Sequence, residues 1–292
     1  MTMTQVQPPP ALHALATQPG GDDWLQSLPT LLDQLLNQWQ LAVAGPPLPG
    51  GSVSYVVPVT RNNTRFILKV QWPHEEMVHE ADALREWNGN GAPKLIEHDQ
   101  QRHGLLMEEC IPGTFLADSD LEDPIGILTE LLPKLWIQTN FRFRQLADEA
   151  AQWAAELPPS WERAGKPCER QLIDEALCYI DALSNSQGAQ VLVHQDLHGH
   201  NIIAAEREPW LAIDPKPLVG EREFALAPIV RSFEFGGTPA ATIGRLDRLS
   251  TELNLDRDRA LGWTVAQTMA WGFGGSYDDR HHNTVRWLLD AR

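Results

Sequence analysis

Positive charge is in short supply along this chain. No Lys or Arg occurs before Arg61, and 23 basic residues stand against 39 acidic ones, a formal net charge of −16 over 292 residues. A surface of that sign repels nucleic acid and anionic membranes, so neither is expected as a partner. Acidity also serves solubility in many proteins, and the one partner class it would suit is a cationic small molecule. Cysteine is nearly absent. Cys110, Cys168 and Cys178 show no paired, metal-like spacing, and an odd number fits a reducing compartment. No apolar run approaches the roughly 20 residues that span a bilayer. The start of the sequence lacks a signal peptide's charged segment. A cytoplasmic protein is expected, and the sequence sets no oligomeric state.

What is present points to a folded chain. Eleven Trp within a 42% hydrophobic composition mark a globular protein with room for one large or two small domains. Residues 1–21, with Pro8-Pro9-Pro10 and Gly20-Gly21, read as a flexible lead. Leu28, Leu31, Leu32, Leu35, Leu36 and Trp39 then recur at helical spacing. Asp22, Asp23 or Ser27 would cap that helix, with Pro29 in its first turn. Beyond a Pro/Gly turn at 46–51, β-rich runs at 53–59 and 66–70 are joined by Asn62-Asn63. A helix is predicted at 74–88, and strands at 94–97 and 104–107. Residues 121–156 read as helical with a break near Pro133, 157–167 as a Pro-rich connector, and 169–186 as another helix. Residues 222–292 read as mainly helical with a Gly-rich interruption at 272–275. His281 and His282 are expected at the surface, and no internal repeat or zinc-like cluster is evident.

Residues 191–215 carry the strongest signal. Aliphatic runs at 191–193 and 202–204 flank a polar loop holding His194, Asp196 and Asn201, and a third run, 210–213, delivers Asp214. This is the H-x-D-L-x-x-x-x-N spacing of a kinase catalytic loop, followed by a second aspartate after a strand. Each residue alone would pass for a turn residue; together they suit phosphoryl transfer. Asp196 would orient an attacking hydroxyl and accept its proton, while Asn201 and Asp214 would hold Mg²⁺ against the phosphates of ATP.

The first half of the sequence supplies matching parts. Lys69 lies inside the apolar run Phe-Ile-Leu-Lys-Val, and a buried ammonium needs a partner or an anionic ligand. Glu80 in the next helix is the expected partner, with Glu76 the competing choice; a solvated face is the plain alternative for all three. Gly50-Gly51 would let backbone N–H groups approach phosphates, and equally would serve as a hairpin entry. The stretch 108–112, including Glu109 and Ile111, stands where a bilobal kinase places its hinge and offers its backbone to adenine.

The run from Val191 through Gly220, with its Ile-Asp-Pro-Lys-Pro segment, resembles the aminoglycoside phosphotransferases. It is most similar to the streptomycin 6-phosphotransferase branch, grouped as aminoglycoside/hydroxyurea resistance kinases. The similarity extends over most of the chain and fades after about residue 232. The resemblance implies an α+β, bilobal protein-kinase-like fold, with a small antiparallel β-sheet lobe and a larger, mainly helical one. It also implies ATP and Mg²⁺ as cofactors and a small-molecule hydroxyl as acceptor. By position Asp196 would be the base, Asn201 and Asp214 the metal ligands, and Lys69 with Glu80 the phosphate clamp. Domain limits of 22–110 for the nucleotide-binding lobe and 111–292 for the catalytic lobe follow. Two positions depart from the pattern: Gln195 where relatives usually carry Gly, and Ala225 where they usually carry an Asp that ties down the loop.

Three functions compete on these residues. The first is an aminoglycoside kinase, the second a kinase of a sugar or amino alcohol on the same fold, and the third a degenerate nucleotide-binding protein. Retention of Lys69, Asp196, Asn201 and Asp214 together argues against the third. For a cationic acceptor, Asp278 and Asp279 beside Trp271, Phe273 and Tyr277, with help from Glu223, are the candidate pocket. Adjacent acids after Gly and Ser equally read as a helix cap.

Overall fold

In the computed structural model, which describes residues 7–275 and 278–292 (Glu76 by its backbone alone), the chain divides after Gly113 into two units. Tyr277 of the expected aromatic group lies outside the described residues.

The first unit begins with a 3-10 helix, Pro10–Thr17, where a flexible lead was expected. Leu12 and Leu15 are buried in the core, and that burial orders the segment. Gly21 makes the turn possible, because a Cβ there would lie 1.9 Å from the Leu15 carbonyl oxygen. Helix α1 (Gly21–Gln38) follows, with Trp24, Leu28, Leu32 and Leu35 facing inward at three-to-four spacing. Its start differs from expectation. The cap is Gly20, in a left-handed conformation, and Asp22 and Asp23 sit in the first turn, where carboxylates favour the helix dipole. Ser27 turns its hydroxyl to the Trp24 carbonyl, and Pro29 lies inside the helix.

Strands β1 (Ala42–Val43), β2 (Ser54–Arg61) and β3 (Thr64–Gln71) come next. A 3-10 turn, Glu75–Met77, and helix α2 (Glu80–Trp87) replace the single helix expected at 74–88. Strands β4 (Leu95–Asp99) and β5 (Gly104–Glu108) complete an antiparallel sheet in the order β1-β2-β3-β5-β4. The β2–β3 hairpin closes on Asn62-Asn63, both at positive φ (52° and 63°), the turn whose twist matches the flanking strands. Val57, Val59, Leu68 and Val70 join the α1 leucines in the core.

The second unit is mainly helical. Helix α3 (Pro124–Leu135) runs through Pro133, so the expected break falls at Trp136 instead. Strand β6 (Arg144–Gln145) leads into α4 (Leu146–Arg163), which contains Pro158 and Pro159 and takes over most of the expected connector. Leu146, Ala150, Trp153, Leu157 and Trp161 form one continuous buried stripe along α4, and this packing outweighs two missing backbone N–H donors. After α5 (Arg170–Ser184), strand β7 (Gln190–Val193) joins β10 (Leu218–Glu221) and β6 in one small sheet. Between them, β8 (Ile202–Ala204) and β9 (Trp210–Ala212) form a hairpin. Helices α6 (Ala227–Val230), α7 (Pro239–Glu252), α8 (Arg257–Ala270) and α9 (Asp278–Asp290) complete the unit. The middle of α8 is buried on every face, and Trp263 is its largest fully enclosed side chain.

Where both histidines were expected at the surface, His282 is buried and His281 is half-buried. His282 packs into the core side of α9 beside Val285 and Leu288, and His281 stacks on Phe233. Burial first, and then the neighbouring Arg231, hold His281 down at about 4.

Leu12 separates an ordered start from a loose one. Leu12→Ala should lower unfolding stability by about 2–5 kcal/mol, the cost of truncating an enclosed leucine. Urea titration measures it, and a loss below about 0.5 kcal/mol would show that residues 10–17 do not belong to the core.

Candidate active site

Residues 194–201 form a loop between two strands, and its hydrogen bonds define its shape. The His194 carbonyl accepts from the Asp196 amide (2.8 Å) and from the Lys216 amide (3.2 Å). The His194 ring is fully enclosed and places Nε2 2.8 Å from the Ile213 carbonyl oxygen. A carbonyl only accepts, so Nε2 carries the proton. Burial pushes the imidazole down to about 4, against the opposing pull of the Ile213 carbonyl and Asp196. His194, grouped with Asp196 by the motif, is thus a neutral brace between the loop and the strand that presents Asp214. A second link runs from the Ile213 amide to the Asn201 carbonyl (2.9 Å).

Asn201 ends a short 3-10 turn, Gly199–Asn201, and its Nδ2 donates to the Asp196 carbonyl at 2.8 Å. That bond fixes which end of the amide is which and turns Oδ1 into the acceptor. Asp214 stands at φ 54°, a left-handed conformation tolerated best by Asp, Asn and Gly.

Asp196 itself is held by two cations that the motif does not contain. Lys216 Nζ lies 3.4 Å from one carboxylate oxygen, and Arg231 Nη2 lies 3.5 Å from the other. Both cations also cover the Trp271 ring, at 4.9 Å and 4.3 Å from its centroid.

Four further residues secure the loop from a distance. Gln267 of α8 donates to the Gln195 carbonyl at 2.9 Å. Gln195, at φ 61°, closes a triangle with Arg144 (3.1 Å) and Glu149 (3.1 Å). Glu234 accepts from the Gly199 amide, from Ser232 Oγ (3.1 Å), and from Nδ1 of His198 (3.0 Å) and His200 (2.6 Å). Burial alone would raise Glu234, but the two histidines outweigh it and bring the carboxyl down to about 2. Ala225 is buried without a polar group, so these residues supply the tie it cannot. His198, His200 and Glu234 also form a group with metal-ligand geometry, their ligand atoms within 4.8 Å of one another. The sequence reading found no such cluster because 34 residues separate His200 from Glu234.

In the first unit, Lys69 and Glu80 are 2% and 1% exposed, and Lys69 Nζ donates to both Glu80 oxygens at 2.8 Å. Gln71 Nε2 donates to the same carboxylate at 2.6 Å. Breaking such a buried pair from one side costs about 3–5 kcal/mol. Gly51 permits a tight turn, since a Cβ would lie 2.6 Å from the Ser54 carbonyl oxygen, and Gly50 has φ 101°. Glu109 is committed to a two-pronged contact with Arg65 at 2.5 and 2.6 Å, and Ile111 is exposed.

Of the residues expected around the acceptor, Asp278 starts α9 and accepts from the backbone amides of Gly274 (2.8 Å) and Gly275 (3.0 Å). Asp279 is exposed beside it, and Glu223 contacts the Asp256 amide at 3.5 Å.

Residues 38–273 match the family profile described as aminoglycoside/hydroxyurea antibiotic resistance kinase. The chain belongs to that family. It is 35% identical over 271 residues to a streptomycin 6-kinase of Streptomyces glaucescens, covering 90% of this chain and 88% of that protein. It is 35% identical over 260 residues to a hydroxyurea phosphotransferase of Kitasatospora aureofaciens, covering 86% and 75%. Among solved structures it resembles the choline kinase LicA from Streptococcus pneumoniae, with a TM-score of 0.66, 13% identity, and coverage of 90% and 99%. It also resembles aminoglycoside phosphotransferase APH(4)-Ia in a ternary complex with ADP and hygromycin B (TM-score 0.60, 11% identity, coverage 88% and 96%). These neighbours share the protein-kinase-like α+β fold. This resistance kinase is an ATP-dependent phosphotransferase acting on hydroxyl groups.

The His194 brace predicts a pH dependence. The unfolded chain takes up a proton at His194 near pH 6.5, while the folded chain resists until about pH 4. Stability should therefore decline as pH falls between those values, by up to about 3 kcal/mol from this ring. His194→Gln should flatten that segment of the curve in denaturant titrations at stepped pH. Equal slopes for both proteins would remove His194 as the source.

Proposed function

We propose that this resistance kinase moves the γ-phosphoryl group of Mg·ATP to a hydroxyl of a streptomycin-like aminoglycoside, with Asp196 as the base. The observation that carries the reading is the shared loop network that joins Asp196, Asn201 and Asp214 through His194 and Ile213. A carboxamide oxygen and a carboxylate are the hard donors Mg²⁺ takes, and the Asn201 amide is already turned to offer its oxygen. Bound there, the ion would neutralise charge on the β- and γ-phosphates. Lys69, fixed by Glu80, is assigned to the phosphates, with the backbone at Gly50 and Gly51 as a second contact. The backbone at Glu109 and Ile111 is assigned to adenine. Asp196 orients the acceptor hydroxyl and receives its proton. For a cationic acceptor, Asp279 and Glu223 are the proposed carboxylates, with Asp278 shaping the turn between them and Trp271. A cytoplasmic location accords with the reading; among the described residues no helix is long and apolar enough to cross a membrane.

One observation favours a second acceptor. Lys216 and Arg231 flank Asp196, and a compact uncharged molecule such as hydroxyurea, the acceptor of one relative, meets less repulsion there than a polycation.

Purified protein, ATP and Mg²⁺ with streptomycin, hydroxyurea, choline or a neutral polyol in a coupled ADP-release assay tests both readings. The streptomycin reading expects its kcat/KM to exceed the others by at least tenfold. A reversed order favours the second reading, and ATP binding without release on any acceptor would leave a nucleotide-binding protein only. Asp196→Ala should cut kcat by at least about a thousandfold while ATP binding stays within about threefold, because the base meets the acceptor. Asp214→Ala should instead weaken ATP binding in Mg²⁺ and spare binding in EDTA. Near-normal kcat in Asp196→Ala would reject the assignment.

A further inference from the structure

Arg231 is a costly residue to place where it lies. It follows the short helix α6, is 8% exposed, and lies over Trp271. Its Nη2 reaches Asp196, but Nη1 is enclosed and has no hydrogen-bond partner among the described residues. Buried donors are almost always paired, and an acceptor atom that arrives with a ligand would pair this nitrogen. Arginine offers only donors, so that ligand is an anion or an oxygen-rich group rather than a cation.

Lys216 and Arg231 place two positive charges within 3.5 Å of the Asp196 carboxylate. Arg231 is also anchored firmly. Arg245 of α7 donates to the carbonyls of Val230, Ser232, Phe235 and Gly236 at 2.7–2.9 Å, pinning the segment that carries it.

We propose that Arg231, with Lys216 beside it, is a catalytic cation pair that binds the equatorial oxygens of the γ-phosphoryl group during transfer. The inference rests on the kinase reading above. In the step, the acceptor oxygen bonds to phosphorus as the bond from phosphorus to the β–γ bridging oxygen breaks. ADP leaves with that electron pair, and the hydroxyl proton passes to Asp196. Charge spreads over the three equatorial oxygens as this happens, and a rigid guanidinium with an unpaired edge meets it without rearranging. Before the nucleotide arrives, the same two cations hold Asp196 and keep its carboxylate aimed into the site. Both lie within cation–π distance of the Trp271 face.

A purely structural arginine would stabilise the fold and lower all binding alike, so the test separates ground state from transition state. Wild type, Arg231→Met, Arg231→Lys and Lys216→Met are compared for Kd of ADP and Kd of ADP with tetrafluoroaluminate, a mimic of the planar phosphoryl group, both in Mg²⁺. They are also compared for kcat with the best acceptor of the panel. Wild type should bind the mimic at least a hundredfold more tightly than ADP. Arg231→Met should lose most of that gain with ADP binding unchanged within threefold, and lose 10²–10³-fold in kcat. Lys216→Met should lose part of it, and Arg231→Lys should recover some of the loss, because a point charge replaces a fork. Equal losses for ADP and for the mimic, or a kcat change below threefold, would overturn the assignment. If Arg231→Met does not fold, Arg231→Lys and Lys216→Met decide by the same criterion. A wild type that binds the mimic tightly yet turns over no acceptor refutes the acceptor reading alone, while the Arg231 comparison still stands on the binding data.

Discussion

Charge removed from water has to be answered locally, and this chain is arranged around that requirement. Burying an ion is expensive enough that it survives only with partners at contact distance. Lys69 and Gln71 both donate to Glu80 in the first unit. In the second, Glu221 is enclosed by Arg259, Trp263 and the Gly188 amide, which ties β10 to α8 and to the loop after α5. Arg245 sets its two Nη groups on four carbonyls and so shapes the segment 230–236. Glu234 answers the loop's own amide and its two histidines. The Glu221 and Glu234 pairings join elements far apart in sequence, and those of Glu234 fix loop residues 198–200. The loop 194–201 is therefore shaped less by its aliphatic flanks than by ions and amides reaching in from α4, α8 and the segment after α6.

How much of this was legible in the sequence depends on distance along the chain. Asp196, Asn201 and Asp214 stand out because their spacing is local and the strands that flank them are short and aliphatic. The Asn62-Asn63 hairpin was equally clear, since turn chemistry is written in two adjacent residues. Arg231 and Gln267 were invisible for the opposite reason: they contact the loop across 35 and 72 residues, and nothing in their neighbours announces it. The proline errors share one cause. Pro29, Pro133 and the Pro158-Pro159 pair were read by local propensity, whereas the buried stripes of α1, α3 and α4 run through them. The start of the chain was misjudged because Leu12 and Leu15 lie among Pro, Gly and Thr, a composition that hides two core side chains. Asp278 shows the opposite outcome, with the local cap reading visible in the hydrogen bonds to Gly274 and Gly275.

Gln195 carries a consequence for how this sequence can change. Its backbone occupies a left-handed conformation that Gly adopts without penalty and that costs a side-chain-bearing residue about 1 kcal/mol or more. The side chain recovers this by joining Arg144 to Glu149, which are themselves paired at 2.7 Å. Once that triangle exists, all three positions are bound to one another's history. With Gly at 195, substitutions at 144 and 149 affect a single ion pair at the start of α4. With Gln there, the same substitutions strip the support from a strained residue adjoining Asp196. A lineage that acquired Gln195 thereby narrowed the order in which its later changes could be accepted, and a return to Gly becomes easier only after Arg144 or Glu149 has already been lost.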